Sequence, residues 1–234
     1  MNKINHLFFD LDRTLWDFET NSKIALQKIY DKYSLNTHFE HFIHFQKSYQ
    51  NINNELWKKY GKGKITKDEL RLKRFEKTLE KVEVYDKTLA NTLNLDYITI
   101  APKEKNLFPN TLETINELSK NYRLHIITNG FAEAQIVKLE SSGLKPYFEI
   151  LVCSEMVGKT KPNPEIFEYA LNQANAKKNE SIMIGDDHNT DIIGAIQVGI
   201  QAILFDPTNR YRKSAGLYKI SDIAELPLLL TMIK

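Results

Sequence analysis

"INHLFFDLDRTLWDF", residues 4–18, decides how the rest of the chain is read. His6, Leu7, Phe8 and Phe9 have strand character and run directly into Asp10-Leu11-Asp12. Side chains on an extended chain alternate faces, so Asp10 and Asp12 would point the same way if the strand continued. Two carboxylates that close repel unless a cation or a shared proton lies between them. The stretch therefore predicts a buried strand over 4–9 whose tip is used for chemistry.

No nearby segment offers that strand a partner. From about 20 to 100 glycine is scarce and apolar residues recur at helical spacing. In "TKDELRLKRFEKTLEKV" (66–82), Thr66 is a helix cap with Glu69 as its capping-box partner, and Leu70, Phe75 and Leu79 share one side. Residues 20–33 and 37–60 also read as helices. From about 107 the texture changes to strand–helix alternation. The short apolar runs are "RLHIITNG" (123–130), "EILVCS" (149–154), "SIMIGDD" (181–187) and "QAILFD" (201–206). Helical stretches at 110–121, 131–142, 163–174 and 189–198 separate them, with Asn163-Pro164 as a helix start. Alternation of this kind predicts a parallel sheet with helices on its faces. The first strand most simply joins that sheet. Residues 1–16 and 105–234 then form an α/β core, and 17–104 form an inserted α-helical cap.

Composition sets outer limits. The 234 residues are 42% hydrophobic and 26% charged, ordinary values for a soluble globular chain with a sizeable core. A net charge of +2 gives no reason to expect nucleic acid or a membrane surface as a partner. A single cysteine, Cys153, precludes an internal disulfide and fits a reducing compartment. The apolar run after Lys3 is too short for a signal peptide, and "LPLLLTMI" (226–233) falls short of the roughly 20 residues of a membrane helix. A cytoplasmic protein is expected.

In open parallel sheets, ligands bind beyond the carboxyl ends of the strands. Polar residues collect at those ends: Asp10 and Asp12, then Thr128-Asn129-Gly130, then Gly185-Asp186-Asp187 with Asp191 beyond. Lys159 and Lys161 follow the strand at 149–152. Asp10, Asp12 and Asp186 are hard oxygen ligands suited to Mg²⁺. A lysine and a threonine hydroxyl suit a phosphoryl group, one carboxylate can attack phosphorus, and a second can carry a proton.

The ordered set "DLDRT" (10–14), "TNG" (128–130), the lysine of "TKPNP" (160–164) and "GDDHNTD" (185–191) closely resembles the four motifs of the haloacid dehalogenase (HAD) superfamily. The resemblance implies a Rossmann-like parallel core with a helical cap, and it implies roles. Asp10 would become an aspartyl phosphate, and Asp12 would protonate the leaving oxygen and then activate water. Thr128, Asn129 and Lys161 would bind phosphate. Mg²⁺ would bind Asp10, Asp186 and the backbone carbonyl of Asp12, with Asp191 in support. Dehalogenases of this superfamily need no metal and usually lack the second aspartate, so Asp12 and Asp186 favour phosphoryl transfer. "DLDRTLWDF" and "GKITKDELRLKRF" (63–75) further resemble a pyrimidine nucleotidase branch whose members dephosphorylate nucleoside 5′-monophosphates. The expected substrate is a small phosphate ester. The alternatives are a sugar-phosphate phosphatase or phosphomutase of the same superfamily, and a non-catalytic phospho-ligand-binding regulator.

Other patterns have plainer readings. "GKT" (158–160) matches the end of a P-loop, but the glycine required five residues before Gly158 is Cys153. His38, His41 and His44 drift around a helix, whereas Phe39, Phe42 and Phe45 at the same spacing form a core stripe. The basic run from Lys58 to Lys77 is interleaved with Asp68, Glu69 and Glu76 and reads as a solvated face, and neither Arg71 nor Arg74 is taken as a site residue. Trp16 and Phe18 either stack on a base or pack a hinge.

Overall fold

In a computed structural model of the chain, residues 3–212 and 216–233 are described. The chain divides into two compact units, Met1–Phe18 with Lys105–Lys234 and Glu19–Glu104.

The first unit contains a six-stranded parallel sheet in the order β3-β2-β1-β4-β5-β6. Its strands are β1 (His6–Phe9), β2 (Arg123–Thr128), β3 (Phe148–Cys153), β4 (Ser181–Gly185), β5 (Gln201–Phe205) and β6 (Tyr218–Ile220). β1 is central although it comes first, because its four residues are buried on both faces and need neighbours on both sides. Alternation assigns its side chains to two separate cores. Leu7 and Phe9 pack with Leu124, Ile126, Ile184 and Phe205 on one face, and Phe8 packs with Ile127, Met183 and Leu204 on the other. Each such side chain stabilises the fold by about 1.5–3 kcal/mol. The register aligns Phe9 with Ile126 and with Ile184, so β1, β2 and β4 deliver their next residues to one edge.

The second unit is built by α1 (Phe18–Lys32), α2 (Phe42–Gly61), α3 (Lys67–Glu80) and α4 (Lys87–Ile100). The capping box expected at α3 is present: the Glu69 amide donates to Thr66 Oγ1 at 3.2 Å, and the Thr66 amide donates to Glu69 Oε2 at 2.9 Å. Asp86 caps α4 through the Leu89 amide at 2.9 Å. The core is aromatic, with Phe39, Phe45, Tyr49, Phe75 and Tyr97 in one cluster. The expected helix over 37–60 starts later, at Phe42, after a short 3-10 turn Leu35–Thr37. His38, His41 and His44 are all exposed, while Phe39 and Phe45 are buried.

In the first unit, α5 (Thr111–Leu118), α6 (Ala132–Ser141), α7 (Ser154–Val157), α8 (Pro164–Ala174), α9 (Ile193–Gln197) and α10 (Leu226–Met232) flank the sheet. Residues of α5, α6 and α10 share the core of Phe9, and residues of α8 and α9 share that of Phe8. Two details depart from expectation. The stretch 189–198 begins as a π-turn, His188–Ile192, before becoming α9, and the edge strand β6 had no clear sequence signal. Among the described residues, no helix is long and apolar enough to cross a membrane.

Candidate active site

The polar edge of the sheet is assembled by short turns. After Phe9 the chain folds back at once: the amides of Leu15 and Trp16 both donate to Leu11 O, and Arg13 takes φ 69° to close the loop. Asp10 is fixed by its own amide, which donates to Ile184 O at 2.9 Å. β2 ends in Thr128, β4 ends just before Asp186, and Lys161 lies between β3 and α8.

Lys161 is the centre of the cluster. Its side chain is 1% exposed, and its ammonium contacts Asp10 Oδ1 at 2.6 Å, Asp191 Oδ1 at 2.7 Å and Ile127 O at 2.7 Å. Burial opposes the charge, but Asp10 and Asp191 outweigh it and hold the lysine well above its ordinary range. Asn129 clamps the same residue by its backbone, accepting from Lys161 N at 2.7 Å and donating to Lys161 O at 3.1 Å. Lys159 is exposed.

Asp191 reaches Lys161 only because residue 185 is glycine. A Cβ on Gly185 would lie 2.3 Å from Asp191 Oδ2 and 2.5 Å from its Cγ. The Asp187 amide donates to Asp191 Oδ2 at 3.0 Å, so the π-turn holds this carboxylate in place.

Asp10, Asp186 and Asp191 each offer an oxygen, and these lie within 4.8 Å of one another. All three residues are buried. Burial, together with Asp191 and against Arg13 and Arg210, pushes Asp186 up to about 7. Burial also raises Asp10; Lys161 opposes that rise, and Asp191 and Asp186 add to it. Three carboxylates face Lys161 and, at 3.4 Å from Asp186, Arg210, so negative charge is in excess, and the donors are all hard oxygens. The set therefore fits a divalent cation such as Mg²⁺.

Asp12 lies apart from that group. Its Oδ1 pairs with Lys138 Nζ at 2.6 Å and its Oδ2 accepts from Gln135 Nε2 at 2.8 Å. Burial disfavours its charge, but Lys138 and Gln135 prevail and keep the carboxyl below its usual range. Thr128 Oγ1 accepts from the Gly130 amide at 3.0 Å and from Gln135 at 3.3 Å. The structure thus brings Asp10, Lys161, Asp186 and Asp191 together, ties Asn129 to Lys161, and links Asp12 to Thr128 through Gln135.

Sequence reading missed Lys138, Gln135 and Arg210. The first two stand three apart on α6, a spacing that marks one helix face but no chemistry. Arg210 Nη2 lies 3.4 Å from Asp186 Oδ2, from a loop that buried Asp206 organises by accepting the amides of Arg210 and Tyr211, each at 2.9 Å. Trp16 is a core residue with Lys138 Nζ 4.3 Å from its ring centre, and Phe18 carries Arg13 at 4.2 Å. Both rings are engaged within the first unit, which favours packing over base stacking.

A family model described as haloacid dehalogenase-like hydrolase matches residues 4–199. The chain belongs to that family. This HAD-like hydrolase is 36% identical over 231 residues to pyrimidine 5′-nucleotidase YjjG of Escherichia coli K12, covering 97% of this chain and 98% of the relative. It is 31% identical to the glyceraldehyde 3-phosphate phosphatase of Pyrococcus furiosus, covering 100% and 95% of the two chains. Among solved structures it matches the magnesium-bound HAD-hydrolase YfnB of Bacillus subtilis with a TM-score of 0.86 and 26% identity, covering 98% and 100%. The chain shares the fold of that solved HAD-hydrolase over nearly its whole length, and the HAD-like hydrolase is an enzyme of the phosphatase type.

Proposed function

We propose that the protein is a magnesium-dependent phosphomonoesterase that converts pyrimidine nucleoside 5′-monophosphates to nucleoside and phosphate through a phosphoaspartate on Asp10. The observation that carries the reading is the buried bridge Asp10–Lys161–Asp191 with Asp186 beside it. A relative at 36% identity named a pyrimidine 5′-nucleotidase supports the substrate class.

Each residue then has a task. A carboxylate oxygen of Asp10 attacks phosphorus, and the bond from phosphorus to the nucleoside oxygen breaks. Asp12 donates its proton to that departing oxygen, and later takes one from the water that attacks phosphorus and frees Asp10. Asp12 must exchange its pairing with Lys138 for the substrate, because that ion pair favours the unprotonated state. Thr128 and Lys161 hold the phosphoryl oxygens, and Asn129 keeps Lys161 in register. Asp10 and Asp186, with the Asp12 backbone carbonyl, would hold Mg²⁺, which when bound neutralises the clustered negative charge. Residues 17–104 act as the cap domain and select the substrate, while 1–16 and 105–234 carry out the chemistry.

The test is hydrolysis of dUMP, dTMP, UMP and a set of sugar phosphates, with Mg²⁺ and with chelator. The reading expects metal-dependent release of phosphate from the nucleotides and its loss in Asp10→Asn. Full hydrolysis by Asp10→Asn with metal still bound refutes the nucleophile. Activity confined to sugar phosphates transfers the reading to the second candidate, a sugar-phosphate phosphatase, which the similarity to the glyceraldehyde 3-phosphate phosphatase favours.

A further inference from the structure

Asp12 is gripped by two residues of α6, one on each carboxylate oxygen. Lys138 Nζ lies 2.6 Å from Asp12 Oδ1, and the lysine side chain is only 9% exposed. The same ammonium sits 4.3 Å from the ring centre of Trp16 and 5.9 Å from that of Phe18, so aromatic walls fix its place. Gln135 Nε2 donates to the other oxygen, Oδ2, at 2.8 Å and to Thr128 Oγ1 at 3.3 Å. An ammonium and an amide N–H can only donate, so each Asp12 oxygen is held as an acceptor.

Two features set this grip apart from incidental packing. Gln135 is buried, and turning its amide N–H toward Asp12 leaves Oε1 with no hydrogen bond. An orphaned buried acceptor is costly, and a methionine of similar length would fill the space without one. The second feature is Gly130, which closes the "TNG" stretch. A Cβ there would lie 1.6 Å from Gln135 Nε2 and 2.6 Å from its Cδ. Gly130 is not among the residues in the left-handed backbone region, so what glycine supplies at this position is room for the amide.

These observations meet in the second half of the reaction. There water attacks phosphorus, its proton passes to Asp12, and the bond from phosphorus to the Asp10 oxygen breaks, freeing phosphate and the Asp10 carboxylate. Asp12 serves that step as a base, and a lone pair of its carboxylate must face the water while Thr128 holds the phosphoryl group. Gln135 touches both Asp12 and Thr128, so it fixes the base relative to the group under attack. We propose that Lys138 and Gln135 are positioning residues for hydrolysis of the phosphoaspartate, aiming the Asp12 carboxylate at the attacking water, and that Gly130 leaves room for the Gln135 amide to do so. The proposal rests on the phosphatase reading, with Asp10 as nucleophile and Asp12 as base.

The experiment uses p-nitrophenyl phosphate with Mg²⁺; its leaving group departs without a proton, so the two halves of the reaction separate. kcat/KM reports formation of the phosphoenzyme, and rapid quench follows its decay. Wild type, Lys138→Met, Gln135→Met, Gly130→Ala and Asp12→Asn are compared, with a thermal melt of each. Decay should slow about ten- to 100-fold in Lys138→Met and about tenfold in Gln135→Met and Gly130→Ala, while kcat/KM changes less than about threefold. In the Asp12→Asn background, Lys138→Met should alter decay by less than about twofold, because the lysine acts only through Asp12. A merely structural role would lower both halves together. Gly130→Ala meets only the flexible end of Gln135, so with Gln135→Met it carries the test if Lys138→Met does not fold. Folded variants that decay at the wild-type rate, that lose both halves equally, or that slow Asp12→Asn further overturn the proposal. Full hydrolysis by Asp10→Asn, or decay at the wild-type rate in Asp12→Asn, overturns the phosphatase mechanism itself, and this proposal with it.

Discussion

Lys161→Met is the sharpest single perturbation of the core. Methionine keeps most of the buried stem and removes the ammonium, which makes contacts of 2.6, 2.7 and 2.7 Å with two carboxylates and a carbonyl. Removing one partner of a buried ion pair typically costs about 3–5 kcal/mol, because the partner left behind remains desolvated. Here two carboxylates are left, so the upper part of that range applies in metal-free protein at pH 8. The loss must also depend on pH in one direction. Burial already raises Asp10 above its unfolded value against the pull of Lys161, and without the lysine that rise is unopposed. The folded state then binds more protons than the unfolded one, and stability falls as pH rises. Urea denaturation with chelator present at pH 8, 6.5 and 5 therefore shows a deficit that shrinks toward acid. Asp191→Asn in the Lys161→Met background removes one orphaned charge and recovers part of the pH 8 deficit. A deficit under about 1 kcal/mol at pH 8, or one that grows toward acid, refutes the claim that Lys161 neutralises this cluster.

Gly185→Ala places a methyl 2.3 Å from Asp191 Oδ2; it should cost about 1–3 kcal/mol in chemical denaturation and lower turnover by loosening Lys161, and a variant of native stability and activity would show that the approach is not tight. Asp12→Asn should keep phosphate binding, measured by calorimetry, yet reduce turnover roughly 100-fold or more; unchanged turnover across the working pH range contradicts the proton-transfer role. Because Asp186 is pushed up to about 7, Mg²⁺ binding to the free enzyme should weaken about tenfold from pH 8 to pH 6 and release protons at the lower value, as titration calorimetry can record. His125 is fully buried beside His6, with 3.0 Å between ring nitrogens, and burial followed by the His6 charge lowers it from 6.5 to about 4. The unfolded chain takes up that proton first, so stability is lost as pH falls from 6.5 toward 4; His125→Gln should remove about 2 kcal/mol of the loss between pH 7.5 and 5, and an unaltered acid slope counts against it.

How far the sequence could be read depended on which physics fixed each element. β1 to β5 were legible because each carries a run of apolar residues, unbroken in β1, whose four residues are buried on both faces. β6 was not, because an edge strand of three residues, Tyr218–Ile220, carries too little apolar sequence to stand out. The start of α2 was misplaced because "HFEHFIHF" (38–45), which follows the 3-10 turn, keeps its aromatic spacing through the extended His41, so periodicity alone could not mark the boundary. In the site, Asp10, Lys161, Asp186 and Asp191 stood out because each follows a strand in a recognisable motif. Lys138 and Gln135 did not, since a helix face announces neighbours only along itself, and their partner Asp12 is more than 120 residues away in sequence.

The two units depart from ordinary folding rules in the same way and with opposite sign. The core keeps three buried carboxylates for Lys161 and the half-exposed Arg210, whereas the helical unit keeps a buried guanidinium with no carboxylate pairing it among the described residues. Neither imbalance is forced by the fold. Asparagine and aspartate have nearly the same shape, so an aspartate at position 94 would face Arg74 across the existing 3.1 Å contact and neutralise it. An asparagine at 191 would likewise relieve the crowding around Asp186. Residues that concern only stability drift toward such compensation, because an uncompensated buried charge is among the most expensive features a core can hold. In the core, charges left unbalanced where a one-atom change would reduce the imbalance are better explained by a divalent cation that binds there.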